Sequence, residues 1–189
     1  RQRQMCIRDS YHVYPGHPLP AALAADTKAL YDGLVELGAT LLSWLERNTP
    51  AAVAGKFSEP LTGMIDGSSQ NLLRILHYPP IQQDAEADAV RAAAHEDINL
   101  ITLLVSGSAP GLEARDSGGT WHAVPCDPGM ITVNVGDMLQ KASGGYYPST
   151  THRVVNPEPG LNISRYSMPM FLHPRPEVRL DENLSLIHI

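Results

Sequence analysis

Residues 98–105 carry apolar side chains at both parities of a strand, and no other stretch limits the fold as strongly. A strand with one face in water alternates polar and apolar residues, so a strand without that alternation is covered on both faces. Further short strands are predicted at Leu72–Tyr78, Leu112–Arg115, 120–124, 130–135, around His152, and at 162–172. Pro79-Pro80 and the Gly- and Asp-rich stretches 107–111, 116–119, 127–129 and 156–160 punctuate them. Closely spaced short strands with such turn signals predict an all-β sandwich or barrel. Pro169, inside the last run, points to an edge position or a bulge. Residues 82–94 read as an acidic, Ala-rich loop with a helical turn. Gly136 to Gln140 leads into a flexible tip at Ser143-Gly144-Gly145, followed by Tyr146 and Tyr147 as packing aromatics or part of a substrate mouth.

Upstream the period changes. Leu23, Leu30, Leu34, Leu37, Leu41, Trp44 and Leu45 fall on one stripe of a helix that opens near Pro20 and stops at Asn48 and Pro50. Its role is packing; Gly33 and Gly38 either weaken it or permit close approach. Residues 51–69 are expected to be loops with a short helix at most.

The chemistry-bearing residues lie among the predicted strands. His95 and Asp97 are two apart, and on a strand such residues share a face. An imidazole and a carboxylate then aim at one point. His152 follows 57 positions on (152 − 95), in another predicted strand. Two imidazoles and one carboxylate on one face of a metal suit non-haem iron(II) and leave positions open. Arg165 and Ser167 again share a face, giving a permanent cation beside a hydroxyl, a pair able to hold a carboxylate. A solvent-facing strand end, or an ion pair with Asp137, is the structural alternative for them.

The series H-x-D, a distal His and then R-x-S resembles the isopenicillin N synthase-like branch of the iron(II)/2-oxoglutarate dioxygenases. The text at Leu73 to Pro80 (LRILHYPP), Gly119-Thr120-Trp121, Val133 to Asp137 (VNVGD) and His152 to Pro157 (HRVVNP) carries the same resemblance. It implies a mainly β fold, a double-stranded β-helix (cupin-like jelly roll) with a long helix packed at the N-terminal side. It implies iron(II) on His95, Asp97 and His152, with Glu96 turned away. It implies 2-oxoglutarate chelating the iron and reaching Arg165 and Ser167, with the phenol of Tyr78 assisting. Oxygen is the second co-substrate, succinate and carbon dioxide are the co-products, and hydroxylation of a C–H bond of a small molecule is the default outcome. An oxidase of the isopenicillin N synthase type, without 2-oxoglutarate, and a non-catalytic metal-binding jelly roll share the same motifs.

Composition sets limits around this reading. A chain of 189 residues, 43% hydrophobic, is long enough for one domain with a real core. A net charge of −6 with no basic block argues against nucleic acid, and no run reaches the ~20 apolar residues of a membrane helix. Two cysteines, Cys6 and Cys126, make no disulfide framework; Cys126 is expected to be a buried thiol. A reducing, cytoplasmic setting and a monomer are the expectations. Residues 1–18 and 177–189 are expected to be tails, the first partly non-native or disordered; of these, 1–10 and 184–189 fit no periodic element and resemble translated adaptor sequence. Residues 19–71 form a helical support region and 72–176 the jelly roll. The chain, starting at Arg1, is expected to be a fragment, with specificity placed in a missing N-terminal part and in residues 58–69 and 144–149. His77, His122 and His173 are not expected to be ligands.

Overall fold

The computed structural model describes residues 8–81 and 90–180. In chain order it contains β1 (Asp9–Val13), α1 (Ala24–Asn48), α2 (Ala51–Ala54), α3 (Leu61–Ile65) and β2 (Leu72–Tyr78). Then follow β3 (Ala92–His95), β4 (Ile101–Val105), β5 (Leu112–Arg115), β6 (Trp121–Ala123) and β7 (Ile131–Val135). The last elements are α4 (Asp137–Ala142), β8 (His152–Val154), a 3-10 turn at Pro159–Leu161 and β9 (Arg165–Leu172). Among the described residues no helix is long and apolar enough to cross a membrane.

The strands form two antiparallel sheets, one in the order β1-β2-β9-β4-β7 and the other β3-β8-β5-β6. This is the expected jelly roll. A cavity lies between the sheets, and α1 covers the opposite face of the larger one. The period of two divides each central strand between these layers. On β2, Leu72, Arg74, Leu76 and Tyr78 line the cavity, while Leu73 and Ile75 join the core beneath α1. On β9, Arg165, Ser167, Pro169 and Phe171 face the cavity, and Met168, Met170 and Leu172 face the helix. On β4, Thr102 and Leu104 face inward and Ile101 and Leu103 outward. That double coverage explains why 98–105 is apolar at both parities, although the strand itself starts only at Ile101.

Helix α1 begins after a turn rather than at Pro20, with the Leu23 amide donating to the Pro20 carbonyl. It ends where expected. Thr49 turns extended before Pro50, and its hydroxyl donates to the Leu45 carbonyl at 2.6 Å. Leu34 and Leu42 are buried, whereas Leu23 and Trp44, placed on the stripe by spacing, are exposed. Gly38 serves close approach: a Cβ there would collide with Leu172 on β9. Residues 51–69 hold two short helices, of which α3 buries Leu61, Met64 and Ile65.

Four expectations need correction. First, the tail assigned to 1–18 contains β1, which pairs antiparallel along β2 and buries Val13 at 4% exposure. Its side chains are otherwise exposed, so the pairing is a backbone affair that hydrophobic period does not reveal. Similarly, Leu180 is buried and Val178 packs on the core, within the tail assigned to 177–189; residues 181–189 lie outside the described residues. Second, Pro169 is in the interior of the five-stranded sheet, opposite Leu104. Pairing of β9 to β2 lapses there, between Leu73↔Met170 and Leu76↔Ser167, which accommodates the missing N–H. Third, the stretch after Gly136 is the helix α4, too short to show a period. Fourth, residues 92–95 are strand, while 82–89 of that predicted loop lie outside the described residues.

Deleting residues 1–13 removes the burial of Val13 and one whole ladder. Tm is expected to fall by roughly 5 °C, from about 2 kcal/mol at 2–4 °C per kcal/mol. An unchanged Tm would show that β1 does not hold to β2.

Candidate active site

His95 is the last residue of β3 and pairs across the ladder with His152, the first residue of β8. Their rings lie 4.4 Å apart, centroid to centroid. Each imidazole is oriented from behind: His95 Nδ1 donates to the Ala93 carbonyl at 2.7 Å, and His152 Nδ1 to the Thr150 carbonyl at 2.9 Å. A carbonyl can only accept, so in each neutral ring the lone pair falls on Nε2, the tautomer a metal requires. Loss of solvent around the His95 ring pushes its pKa below the usual histidine value; the Ala93 carbonyl opposes this and His152 adds to it. The charge on Arg8 lowers it too and Asp97 opposes, and the three lowering effects favour the neutral, ligating form.

Asp97 does not lie on a strand. β3 stops at His95, and the carboxylate is held by the loop that follows. Asp97 Oδ2 accepts from Thr102 Oγ1 at 2.6 Å and from Asn134 Nδ2 at 2.9 Å, which leaves Oδ1 for a metal. Thr102 in turn accepts from Asn99 Nδ2 at 2.9 Å. The loop backbone is clamped by α4, whose first amides donate to the carbonyls of Asp97, Ile98 and Asn99. Gly136 allows this contact, because a Cβ there would strike the Asn99 and Asp97 carbonyl oxygens. The shared direction of His95 and Asp97 was legible from their spacing, but its cause is this clamp rather than strand parity. Thr102 and Asn134 went unassigned in the sequence. Their signal is a polar residue at an inward position of two adjacent strands, β4 and β7.

One ligand atom from each of His95, Asp97 and His152 lies within 4.8 Å of the others, and Asp97 Oδ1 is 3.7 Å from His152 Nε2. Asp97 is 7% exposed. Two imidazole nitrogens and one carboxylate oxygen fit a non-haem iron(II) site. Glu96 does not join them; its carboxylate accepts from Thr151 Oγ1 at 2.6 Å. His77 bonds Ser164 and stacks on Tyr166, and His122 pairs with Asp116. His173 lines the same cavity without belonging to the cluster. Replacing Thr102 by Val removes one of the two bonds orienting Asp97 and should lower iron(II) affinity by about tenfold or more. Iron titration of the variant checks this, and unchanged affinity would mean that Asn134 suffices.

The cavity measures about 320 Å³, and Arg165, Ser167 and Tyr78 line it together with the three metal-ligand candidates. Arg165 is 2% exposed, is cross-strand partner to Tyr78, and has its guanidinium 5.5 Å from that ring's centroid. Its Nε donates to the Ala109 carbonyl at 3.0 Å, but its buried Nη1 has no hydrogen-bond partner. Burial pushes the guanidinium's pKa down and Tyr78 opposes this. Among the described residues no carboxylate pairs with Arg165, so the alternative pairing with Asp137 is not what the fold makes. An unpaired buried cation is costly unless an anion joins it. The arrangement therefore fits a carboxylate such as that of 2-oxoglutarate. Cys126 is half-buried rather than buried. Tyr147 is tied to Thr49 on the far side of the larger sheet, and neither 58–69 nor 144–149 lines the cavity.

Comparison with known proteins agrees with this geometry. Residues 69–174 match the family described as the 2OG-Fe(II) oxygenase superfamily. The 2-oxoglutarate-dependent dioxygenase citB of Monascus ruber is 38% identical over 112 residues, covering 57% of this chain and 33% of that protein. The chain thus spans about a third of the length of that curated relative. A Shewanella oneidensis protein classed provisionally as an oxygenase has a solved structure that superposes with a TM-score of 0.88 at 50% identity, covering 95% of this chain and 67% of that one. A full-length Neurospora crassa protein solved in complex with alpha-KG gives a TM-score of 0.71 at 27% identity, covering 90% and 56% of the two chains. With the match spanning more than half of its residues, and with the three ligand candidates and the buried arginine in one cavity, the chain belongs to the 2OG-Fe(II) oxygenase superfamily.

Proposed function

We propose that this chain is the catalytic part of an iron(II)- and 2-oxoglutarate-dependent oxygenase that oxidises, by default hydroxylates, a C–H bond of a small organic molecule. The observation that carries the reading is the meeting, in one cavity, of the His95, Asp97 and His152 donor atoms and the unpartnered Nη1 of Arg165. Bound there, iron(II) and 2-oxoglutarate supply oxygen activation and oxidative decarboxylation, the chemistry no side chain provides.

The chain's own residues do the placing. His95 and His152 present Nε2, each ring fixed by the carbonyl behind it. Thr102 and Asn134 hold Asp97 with one oxygen free. Arg165 and Ser167 take the distal carboxylate of 2-oxoglutarate, and Tyr78 closes against the guanidinium. Leu76, Leu104, Leu112 and Val154 wall the cavity and keep water away from the reacting C–H bond. Iron(II) and two cysteines suit a reducing compartment, and we place the protein in the cytoplasm.

The test is exposure of the iron-loaded chain to oxygen with 2-oxoglutarate. Slow release of succinate, even without the true substrate, is the expected result. Oxygen consumption with an added substrate but neither 2-oxoglutarate loss nor succinate would point instead to an oxidase of the isopenicillin N synthase type. No oxygen consumption under any condition would leave a metal-binding module.

A further inference from the structure

The cavity holds a second guanidinium that the metal and co-substrate chemistry does not use. Arg74 is four residues before Tyr78 on the inward face of β2, roughly 13 Å along an antiparallel strand. Arg165 is cross-strand partner to Tyr78, so the two arginines stand well apart along that strand. Arg74 is half-buried and its Nε is buried without a hydrogen-bond partner. Among the described residues it forms no ion pair. Arg8 lines the same cavity, whose two carboxylates, Glu96 and Asp97, belong to the metal-binding loop after β3, not to β2. Burial pushes the Arg74 guanidinium's pKa down, and the charge on Arg8 pushes it further the same way. A guanidinium whose buried Nε has no partner, between apolar walls, is stabilised when an anion joins it. The walls beside Arg74 are Leu72, Leu76, Pro169 and Phe171, which are apolar or aromatic.

From this we infer that Arg74 binds the carboxylate of the substrate, and that the substrate is an organic acid with an apolar body. The inference rests on the oxygenase reading and names its substrate class. The forked guanidinium suits a carboxylate better than a neutral amide, and the apolar walls take the rest of the molecule. Anchored by its acid group at Arg74, the molecule extends into the space lined also by His95 and His152 and presents a C–H bond at a fixed distance from the carboxylate. Arg165 remains for the co-substrate, so two anions are bound at two separate arginines.

The experiment titrates straight-chain acids from butanoate to decanoate, benzoate, phenylacetate and 3-phenylpropanoate, each beside its amide. Binding to the anaerobic chain loaded with iron(II) and 2-oxoglutarate is read by calorimetry, and by the change each causes in the visible absorption of the loaded site. The same titrations are run on the chain without metal or 2-oxoglutarate, so that failure of co-substrate binding, which would sink the oxygenase reading, leaves the Arg74 result readable. At least one acid is expected to bind about tenfold or more tighter than its amide, and Arg74→Met should erase that preference. Arg74→Lys, which keeps the charge, should retain part of it and guards against loss of fold as the cause. Affinity for 2-oxoglutarate should stay within about twofold in both variants, because a site this far from Arg165 couples weakly. The inference is overturned if no acid is preferred over its amide, if the preference survives Arg74→Met, or if the acids compete with 2-oxoglutarate for Arg165.

Discussion

Replacing His152 by Ala is expected to lower iron(II) affinity by well over 100-fold, beyond the 10- to 100-fold typical of losing a mere supporting partner of a ligand. Only His95 and Asp97 remain to face the site, and two ligands hold a divalent ion poorly. The loss should be local. His152 begins a three-residue strand whose ladder bonds are made by backbone, and its ring rests on His95 and the Thr150 carbonyl. Circular dichroism should therefore be unchanged while iron titration collapses. Replacing His77 or His122 should leave iron affinity untouched, because neither ring joins the cluster. Retention of full stoichiometry and affinity in the His152 variant would remove it from the site.

Arg165→Lys should cost 2-oxoglutarate affinity without loss of iron. The ammonium keeps the charge but not the fork, and it cannot at once hold the Ala109 carbonyl and engage a carboxylate at two points. A weakening of about 30-fold corresponds to roughly 2 kcal/mol, the lower end of what breaking a buried charge pair costs. Arg165→Met should be more severe, since it removes both the charge and the fork offered to the distal carboxylate. Calorimetry with 2-oxoglutarate, compared with glutarate and pyruvate, separates the two contributions. Glutarate tests the arginine alone and pyruvate the metal end alone. Equal 2-oxoglutarate affinity in wild type and Arg165→Met would place the co-substrate elsewhere.

The strands were legible as short apolar runs closed off by Pro, Gly and Asp turn signals, the central ones apolar at both parities because both faces are covered. Leu72–Tyr78 and Leu112–Arg115 fall where the period and the flanking turns put them. The metal-ligand candidates were legible from type and spacing, since few other folds need H-x-D, a distant His and R-x-S in that order. What the sequence concealed depends on contacts between distant segments. β1 is an edge strand with exposed side chains, and only β2's need for a partner reveals it. Asp97 owes its aim to Thr102, Asn134 and the first turn of α4, three places that local periodicity does not connect. Pro169 argued for an edge or a bulge because proline removes one ladder bond, yet the sheet absorbs it in its interior by letting the β2 pairing lapse there without a change of register. Arg74 looked like an ordinary strand residue until its inward direction and missing partner were seen.

The central claim is that His95, Asp97, His152 and Arg165 form one site for iron(II) and 2-oxoglutarate. The most direct measurement is an anaerobic titration of 2-oxoglutarate into the iron(II)-loaded chain, followed by visible absorption. The account predicts a charge-transfer band that saturates at one 2-oxoglutarate per iron, is absent in His152→Ala, and requires far more 2-oxoglutarate in Arg165→Lys. A chain that binds iron at one equivalent yet develops no band at any 2-oxoglutarate concentration, or whose band is indifferent to both substitutions, would contradict it.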